Sequence, residues 1–341
     1  AFDVVAGEVT AVQNAVGLAE VNGCNRIEIA GPDTHTFLDH MICGRVTKKE
    51  GRVGLGYLLN HQGCIKAEAT VANIPGGPVW YGSAAASEWH DMDWLSAHAN
   101  GFDVSLRSLS NDHTILVLAG PKARDVLSAV SRADWSKDAF PWLSLRRAYV
   151  GIAPAVVMSV SFSGELAYEI HVPNAHLYAA YRALRAAGDV HGLRLFGARA
   201  VGSMRMEKGY LHWKSDLITE FDPFETGLDR FVKMDKDFVG KQALEARRAK
   251  GPSAKLVRLK VEATPAPAPP GASLMQGGAV VGTVTSGEWG HRLGMNIAYA
   301  FVRPDLAKPG TRTEIDMLGH MVDATVIAPC PYDPETKLPR G

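Results

Sequence analysis

Twice along this chain an apolar run with strand character stops at Gly-Pro and gives way to a helical pattern. The first unit is Ile27-Glu28-Ile29-Ala30-Gly31-Pro32, followed by Phe37, Leu38 and Met41. The second is Ile115-Leu116-Val117-Leu118-Ala119-Gly120-Pro121, followed by Ala123, Val126, Leu127 and Val130. Glycine permits the sharp turn out of a strand, and proline suits a helix start, where its missing N–H would go unbonded anyway. Two such units suggest two related α+β subdomains; two unrelated helix starts are the plainer alternative. Further strands are expected at 65–71, 156–162 and 256–261. A helix is expected over 174–187, with Asn174 as its N-cap, a stripe of Leu177, Tyr178, Tyr181 and Leu184, and Gly188 as its stop. Strands and helices do not alternate regularly, which favours α+β over a doubly wound sheet.

The stretch Thr264-Pro265-Ala266-Pro267-Ala268-Pro269-Pro270-Gly271 can sustain neither a helix nor a central strand and reads as a semi-rigid connection. Short β-type runs follow at 280–286, 296–302, 311–317 and 322–327, the pattern of a small antiparallel barrel or sandwich. The organisation expected is therefore residues 1–251 as two interleaved α+β subdomains and residues 252–341 as a β domain.

Composition narrows the function classes. Lys+Arg and Asp+Glu are both 36, so no basic field is available for nucleic acid or an anionic membrane surface. No apolar stretch has the length of a bilayer span. Cys24, Cys43, Cys64 and Cys330 match neither zinc nor dithiol spacing and are read as reduced thiols, which points to a cytoplasmic setting, or the mitochondrial matrix in a eukaryote. The opening Ala1-Phe2-Asp3-Val4-Val5 has no basic region before an apolar one, so it is not a signal peptide, and it lacks an initiator Met.

Several motifs fail on inspection. Gly51-Arg52-Val53-Gly54-Leu55-Gly56 has the wrong spacing for a dinucleotide fingerprint, and no Walker-type loop is present. His90-Asp91-Met92-Asp93 looks like a ligand cluster, but adjacent helical residues diverge, so a solvated face is expected and no metal site. His35 and His40 diverge likewise, and no Gly-x-Ser-x-Gly elbow occurs.

Four segments together carry a resemblance. They are Ile29-Ala30-Gly31-Pro32-Asp33 running to Asn60-His61-Gln62-Gly63-Cys64-Ile65-Lys66-Ala67-Glu68; Ser161-Phe162-Ser163-Gly164-Glu165-Leu166-Ala167-Tyr168-Glu169-Ile170; Gly197-Ala198-Arg199 through Met204-Arg205-Met206-Glu207-Lys208-Gly209-Tyr210 to Pro223-Phe224-Glu225-Thr226-Gly227-Leu228 and Asp237-Phe238-Val239-Gly240; and Val281-Gly282-Thr283-Val284-Thr285-Ser286-Gly287 with Leu293-Gly294-Met295-Asn296-Ile297-Ala298. In order and spacing the set resembles the aminomethyltransferase superfamily, founded on the glycine-cleavage T-protein. Glu207-Lys208-Gly209-Tyr210 with Trp213, Gly290-His291-Arg292 and the ending Pro331-Tyr332-Asp333-Pro334-Glu335 look most like the folate-binding part of dimethylglycine and sarcosine dehydrogenases.

The resemblance implies a T-protein-like α+β fold of three subdomains, two mixed α/β units plus a C-terminal antiparallel β-barrel. It implies tetrahydrofolate as cofactor, with FAD only on a missing N-terminal half or partner subunit, and a flavin-containing amine dehydrogenase and a small N-methylated amine as partners. The implied reaction forms 5,10-methylenetetrahydrofolate from a carbon released by oxidative demethylation of dimethylglycine or sarcosine. Two alternatives stay in view. One is a stand-alone folate-dependent demethylase acting on a sulfonium or methoxy donor. The other is a non-catalytic folate-binding maintenance protein, against which the cysteine-free Glu207-Lys208-Gly209-Tyr210-Leu211-His212 speaks.

Seven residues take roles from the resemblance. Glu68 falls where the family has an aspartate near the folate amines, a position suited to stabilising an iminium and removing a proton. Glu165 would read the pterin by accepting its ring N–H and exocyclic amine as a bidentate pair. Tyr168 would pack on the heterocycle, or else is an ordinary half-buried strand aromatic. Arg205, flanked by methionines, would bond the folate or hold Glu207. Arg292 would bind folate, and Trp213 and Trp289 would line the pocket or sit in the core.

Overall fold

The computed structural model describes residues 2–21, 23–262 and 266–341. Ala1 lies outside the described residues, and so do Thr264 and Pro265 at the start of the proline-rich stretch.

Among the described residues, three sheets organise the fold. The first has six strands in the order Arg194–Leu195, Gly17–Val21, His113–Ala119, Ala167–Pro173, Ala153–Met158 and Leu145–Val150. The second has five, in the order Val53–Leu59, Ile65–Asn73, Val79–Gly82, Ile27–Ala30 and Ser105–Ser108. The chain enters the first sheet, leaves to build the whole of the second, and returns, so the two units interleave. The two Gly-Pro units fall one in each sheet, leading into helices Thr34–Met41 and Ala123–Val130. Gly31 has φ +135° and Gly120 φ +124°, and a Cβ would lie 2.2 Å from the Asp103 carbonyl oxygen at one and 2.6 Å from the Ala15 carbonyl oxygen at the other. Both positions therefore require glycine, for torsion and for room.

Each sheet packs helices against one of its faces. Phe37, Leu38 and Met41 of the first helix pack on Ile27, Ile29, Ala67, Ala69 and Val71. Val126 and Leu127 of the second pack with Leu116, Leu118, Tyr168 and Ile170. Helix Leu177–Asp189 covers the same core with Ala180 and Leu184. Its start differs from expectation. A short 3₁₀ turn, Asn174–His176, precedes it, and Asn174 spends its side chain on Asn111 O and Thr114 Oγ1. Tyr178 also leaves the expected stripe and is 72% exposed. The strand expected at 156–162 ends earlier, at Met158, because Ser161 and Ser163 cap the turn that follows.

The C-terminal strands close into a six-stranded antiparallel barrel: Lys255–Val261, Met295–Val302, Ala279–Gly290, Ser273–Gln276, Arg312–Met317 and His320–Ile327. The described part of the proline-rich stretch joins two barrel strands, Lys255–Val261 to Ser273–Gln276, so it is a connection inside the barrel. Helix Ala198–Glu207 lies between the first sheet and the barrel, packing Ala200 and Met204 toward one and Met206 toward the other. Among the described residues no helix is long and apolar enough to cross a membrane.

Candidate active site

Strand Ile65–Asn73 is interior to the second sheet, yet alternate residues Lys66, Glu68 and Thr70 stay partly exposed while Ala67 and Ala69 are buried. That leaves one polar, half-open face on a central strand. Tyr57, directly opposite Glu68 on the neighbouring strand, donates its hydroxyl to Glu68 Oε2 at 2.7 Å. Burial lifts the Glu68 carboxyl to about 7, against the opposing pull of the Tyr57 hydrogen bond. Burial and the neighbouring carboxylate push Tyr57 well above its ordinary range, so it stays a donor.

Cys24 lies near both Glu68 and a second carboxylate, Glu169. It is an exposed residue whose thiol is raised to about 12, by desolvation first and then by Glu169 and, less, Glu68, against the opposing pull of Arg26. Both carboxylates thus bear on one thiol. Glu169 comes from strand Ala167–Pro173 and is held by a fixed chain of bonds. Arg26 Nη1, which can only donate, bonds His171 Nδ1 at 3.0 Å, so His171 must use its Nε2–H toward Glu169 Oε2 at 3.2 Å. Burial lowers the His171 pKa, which keeps the ring neutral for this role. Glu169 keeps 27% of its side chain exposed, and its described hydrogen bond falls on Oε2 alone.

Glu165 sits elsewhere in the hydrogen-bond economy. Its Oε1 accepts from Arg292 Nη1 at 2.7 Å and from the Tyr332 hydroxyl at 2.9 Å. The Arg292 side chain is fully buried; its Nε donates to Glu207 Oε2, its Nη2 to Met204 O at 2.6 Å, and its plane lies 3.9 Å over the Tyr332 ring. Glu207 also accepts the backbone N–H of Arg292 and of Leu293, at 2.7 and 2.9 Å. Beside it Lys208 pairs with Asp333 at 2.9 Å. One buried guanidinium thus fastens the 161–165 turn, helix Ala198–Glu207, the barrel loop and the C-terminal tail together.

The structure brings some expected residues together and separates others. Arg292 and Glu165 meet directly. Arg205 does not hold Glu207; that work falls to Arg292. Instead Arg205 pairs with fully buried Asp216 at 2.6 Å and bonds Ser286 Oγ at 3.0 Å, tying the loop after the helix to the barrel. Tyr168 is not brought to either carboxylate. It is fully buried, stacked on Phe140 with centroids 6.1 Å apart, in the core beneath helix Ala123–Val130. Strand alternation explains this, since Tyr168, Ile170 and Val172 share the core face and Glu169 and His171 take the other. Trp213 donates its ring N–H to Lys66 O at 3.3 Å, beside the Glu68 strand, whereas Trp289 packs 5.9 Å from Phe2 at the periphery. Glu169, Cys24 and the stacked, part-exposed pair Phe162 and Tyr210 were not singled out from sequence. The period-two pattern of residues 167–172 carried the signal for Glu169. Among the described residues no group of three or more His, Cys, Asp or Glu side chains is placed to hold a metal ion.

Two interleaved sheet units and a closed barrel, with the Glu68 carboxylate on a half-open strand face, define a three-part scaffold. Comparison with known families specifies it. The GCVT N-terminal domain family matches residues 1–236, and the glycine cleavage T-protein C-terminal barrel domain family matches residues 255–333. The chain belongs to the glycine-cleavage T-protein, or aminomethyltransferase, family. It is 32% identical over 330 residues to the mitochondrial dimethylglycine dehydrogenase of Rattus norvegicus, covering 96% of this chain and 38% of that protein. It is 31% identical over 326 residues to an aminomethyltransferase of Saccharopolyspora erythraea, covering 95% of this chain and 88% of that one. The crystal structure of aminomethyltransferase T from Bartonella henselae superposes with a TM-score of 0.88 at 23% identity over 96% of this chain and 90% of that one, which shows the shared fold. The chain spans well under half the length of the dehydrogenases it matches.

Proposed function

We propose that this chain binds tetrahydrofolate and assists transfer of a one-carbon unit to it, as the T-protein-like part of a dimethylglycine or sarcosine dehydrogenase. The observation that carries the reading is Glu68. A carboxyl raised to about 7 on a half-open strand face can exchange a proton at neutral pH, which an ordinary surface carboxylate cannot do usefully. The residues fit a reduced folate. Glu169 offers a carboxylate with an unengaged oxygen, and Phe162 is 39% exposed beside Glu165.

Bound folate supplies the nucleophilic nitrogens. The protein supplies the rest. Glu68 accepts a proton from the attacking nitrogen and, when ionised, stabilises positive charge on the incoming carbon. Tyr57 holds that carboxylate in one orientation. Glu169, fixed by His171 and Arg26, accepts pterin N–H groups. The bidentate role first expected of Glu165 has only Oε2 left to it, because Oε1 already takes two donors, and its side chain is 4% exposed against 27% for Glu169. Glu165 instead anchors the wall beside the site through Arg292.

The similarity to dimethylglycine and sarcosine dehydrogenases over nearly the whole chain supports an N-methylated glycine as the carbon source and a flavin-containing domain or subunit as partner. A second reading, a glycine-derived aminomethyl donor, is favoured by the aminomethyltransferase that matches along 88% of its own length. Calorimetry with tetrahydrofolate tests the shared part. Supplying sarcosine or dimethylglycine with a flavin dehydrogenase, against supplying a glycine-derived aminomethyl donor, then separates the two by which forms methylenetetrahydrofolate.

A further inference from the structure

The His90-Asp91 pair, expected on a solvated face, is not solvated at Asp91. That side chain is 1% exposed and accepts from the Tyr81, Ser83 and Ser87 hydroxyls on Oδ2, at 3.0, 2.5 and 3.1 Å. Its Oδ1 lies 3.1 Å from His90 Nδ1, and His90 Nε2 lies 2.8 Å from Lys66 Nζ. An ammonium has no acceptor, so Lys66 donates to Nε2 and His90 must carry its proton on Nδ1, facing Asp91. The order Asp91, His90, Lys66 is a carboxylate and imidazole aimed at an amine, with the imidazole tautomer fixed by a buried anion. Lys66 stands two residues from Glu68 on the same face of strand Ile65–Asn73, roughly 7 Å away along the strand. The Trp94 ring, 4.4 Å from Nζ, favours the ammonium and is the group His90 works against.

We propose that Lys66, deprotonated by His90 and Asp91, is a covalent holder for a one-carbon unit at the formaldehyde oxidation level, kept beside Glu68 until folate takes it. The proposal rests on the one-carbon reading above. The chemistry balances without any oxidant. Lys66 passes a proton to His90 Nε2, and the free amine attacks the carbonyl carbon, forming a C–N bond. The nitrogen proton moves to the oxygen, giving a carbinolamine. His90 returns its proton to that hydroxyl, which leaves as water, and Lys66 carries a methylene iminium. The net change is one ammonium and one formaldehyde to one iminium and one water. When the acceptor takes the carbon it gives up two N–H protons, and the Lys66 C–N bond breaks to restore the ammonium. Glu68 is placed to relay those protons. An electrophile held this way is not lost to solvent, and its positive charge sits near the Glu68 carboxylate.

Limiting formaldehyde with cyanoborohydride tests this on the chain as it stands, because reduction converts the iminium to N-methyllysine, which peptide mapping locates. Lys66 is expected to label ahead of every other lysine. In His90→Gln its labelling should slow by about a hundredfold, the lower end of what a positioned proton-transfer group contributes, with other lysines unchanged. Lys66→Arg should keep tetrahydrofolate affinity by calorimetry while lowering methylenetetrahydrofolate formation from formaldehyde. Labelling of Lys66 at the pace of surface lysines, or full formation in Lys66→Arg, would overturn the proposal. Failure of wild-type chain to bind tetrahydrofolate would instead count against the folate reading, and the labelling order would still decide the role of Lys66.

Discussion

Tyr57 and Glu68 face each other in register across two antiparallel strands, and the phenol donates to the carboxylate at 2.7 Å. That bond stabilises the ionised carboxylate, so Tyr57→Phe should raise the Glu68 pKa further. A charge-assisted bond is worth about 1.5–3 kcal/mol, which corresponds to a shift of about one to two pH units. The acid limb of the pH–rate profile for methylenetetrahydrofolate formation should move upward by that amount. An unmoved limb would mean that the titrating group lies elsewhere.

Glu68 also leaves a mark on stability. Its pKa is about 7 in the folded chain against an ordinary 4.5, so the folded state holds its proton more tightly. The contribution is fully present below about 4.5 and is lost as pH rises through 7. Partial exposure reduces the size, to roughly 1–3 kcal/mol. Glu68→Gln removes this dependence. Denaturant unfolding of the two proteins should therefore show the mutant gaining on wild type between pH 4.5 and 7; parallel curves would contradict the burial of this group.

Glu165 and Glu169 should separate by their mutants. Glu169→Gln should weaken tetrahydrofolate binding by about 1.5–3 kcal/mol in calorimetry, because a charged acceptor is lost. Glu165→Gln should act mainly on stability, since its oxygens serve Arg292 and Tyr332. The reverse pattern would restore Glu165 as the pterin contact.

Arg292 links four segments through one side chain. Arg292→Met leaves Glu165 and Glu207 buried without their cation, and should cost about 3–5 kcal/mol in thermal or denaturant unfolding. Lysine should not rescue it, because the guanidinium serves Glu165, Glu207 and Met204 O from different nitrogens. Rescue by lysine would show that charge alone matters there.

Local features of the fold were legible. The Gly-Pro units fixed two strand-helix junctions, and the run of short β segments announced the barrel, because both depend on neighbouring residues. Partnerships at long range were not. Glu165 finds Arg292 127 positions later and Tyr332 167 positions later, and no local pattern encodes either pairing. Arg205 among methionines was read as a folate contact or a hold on Glu207, and its partner Asp216 became visible only in three dimensions. Tyr168 was misplaced for a reason available in the sequence: its parity with Ile170 and Val172 puts it in the core. His90-Asp91 was read as solvated because the hydroxyls that bury Asp91 lie on a strand, a turn and a helix start.

The central claim is that Glu68 works on the reaction and not on affinity. Glu68→Gln keeps the shape and removes the charge. The measurement is the rate of methylenetetrahydrofolate formation with sarcosine or dimethylglycine and a flavin dehydrogenase supplied, beside the tetrahydrofolate dissociation constant of the same mutant. The account predicts a fall in rate of about 10²–10⁴-fold with an unchanged dissociation constant, amine oxidation continuing and free formaldehyde accumulating in place of product. A mutant that forms methylenetetrahydrofolate at the wild-type rate would contradict it.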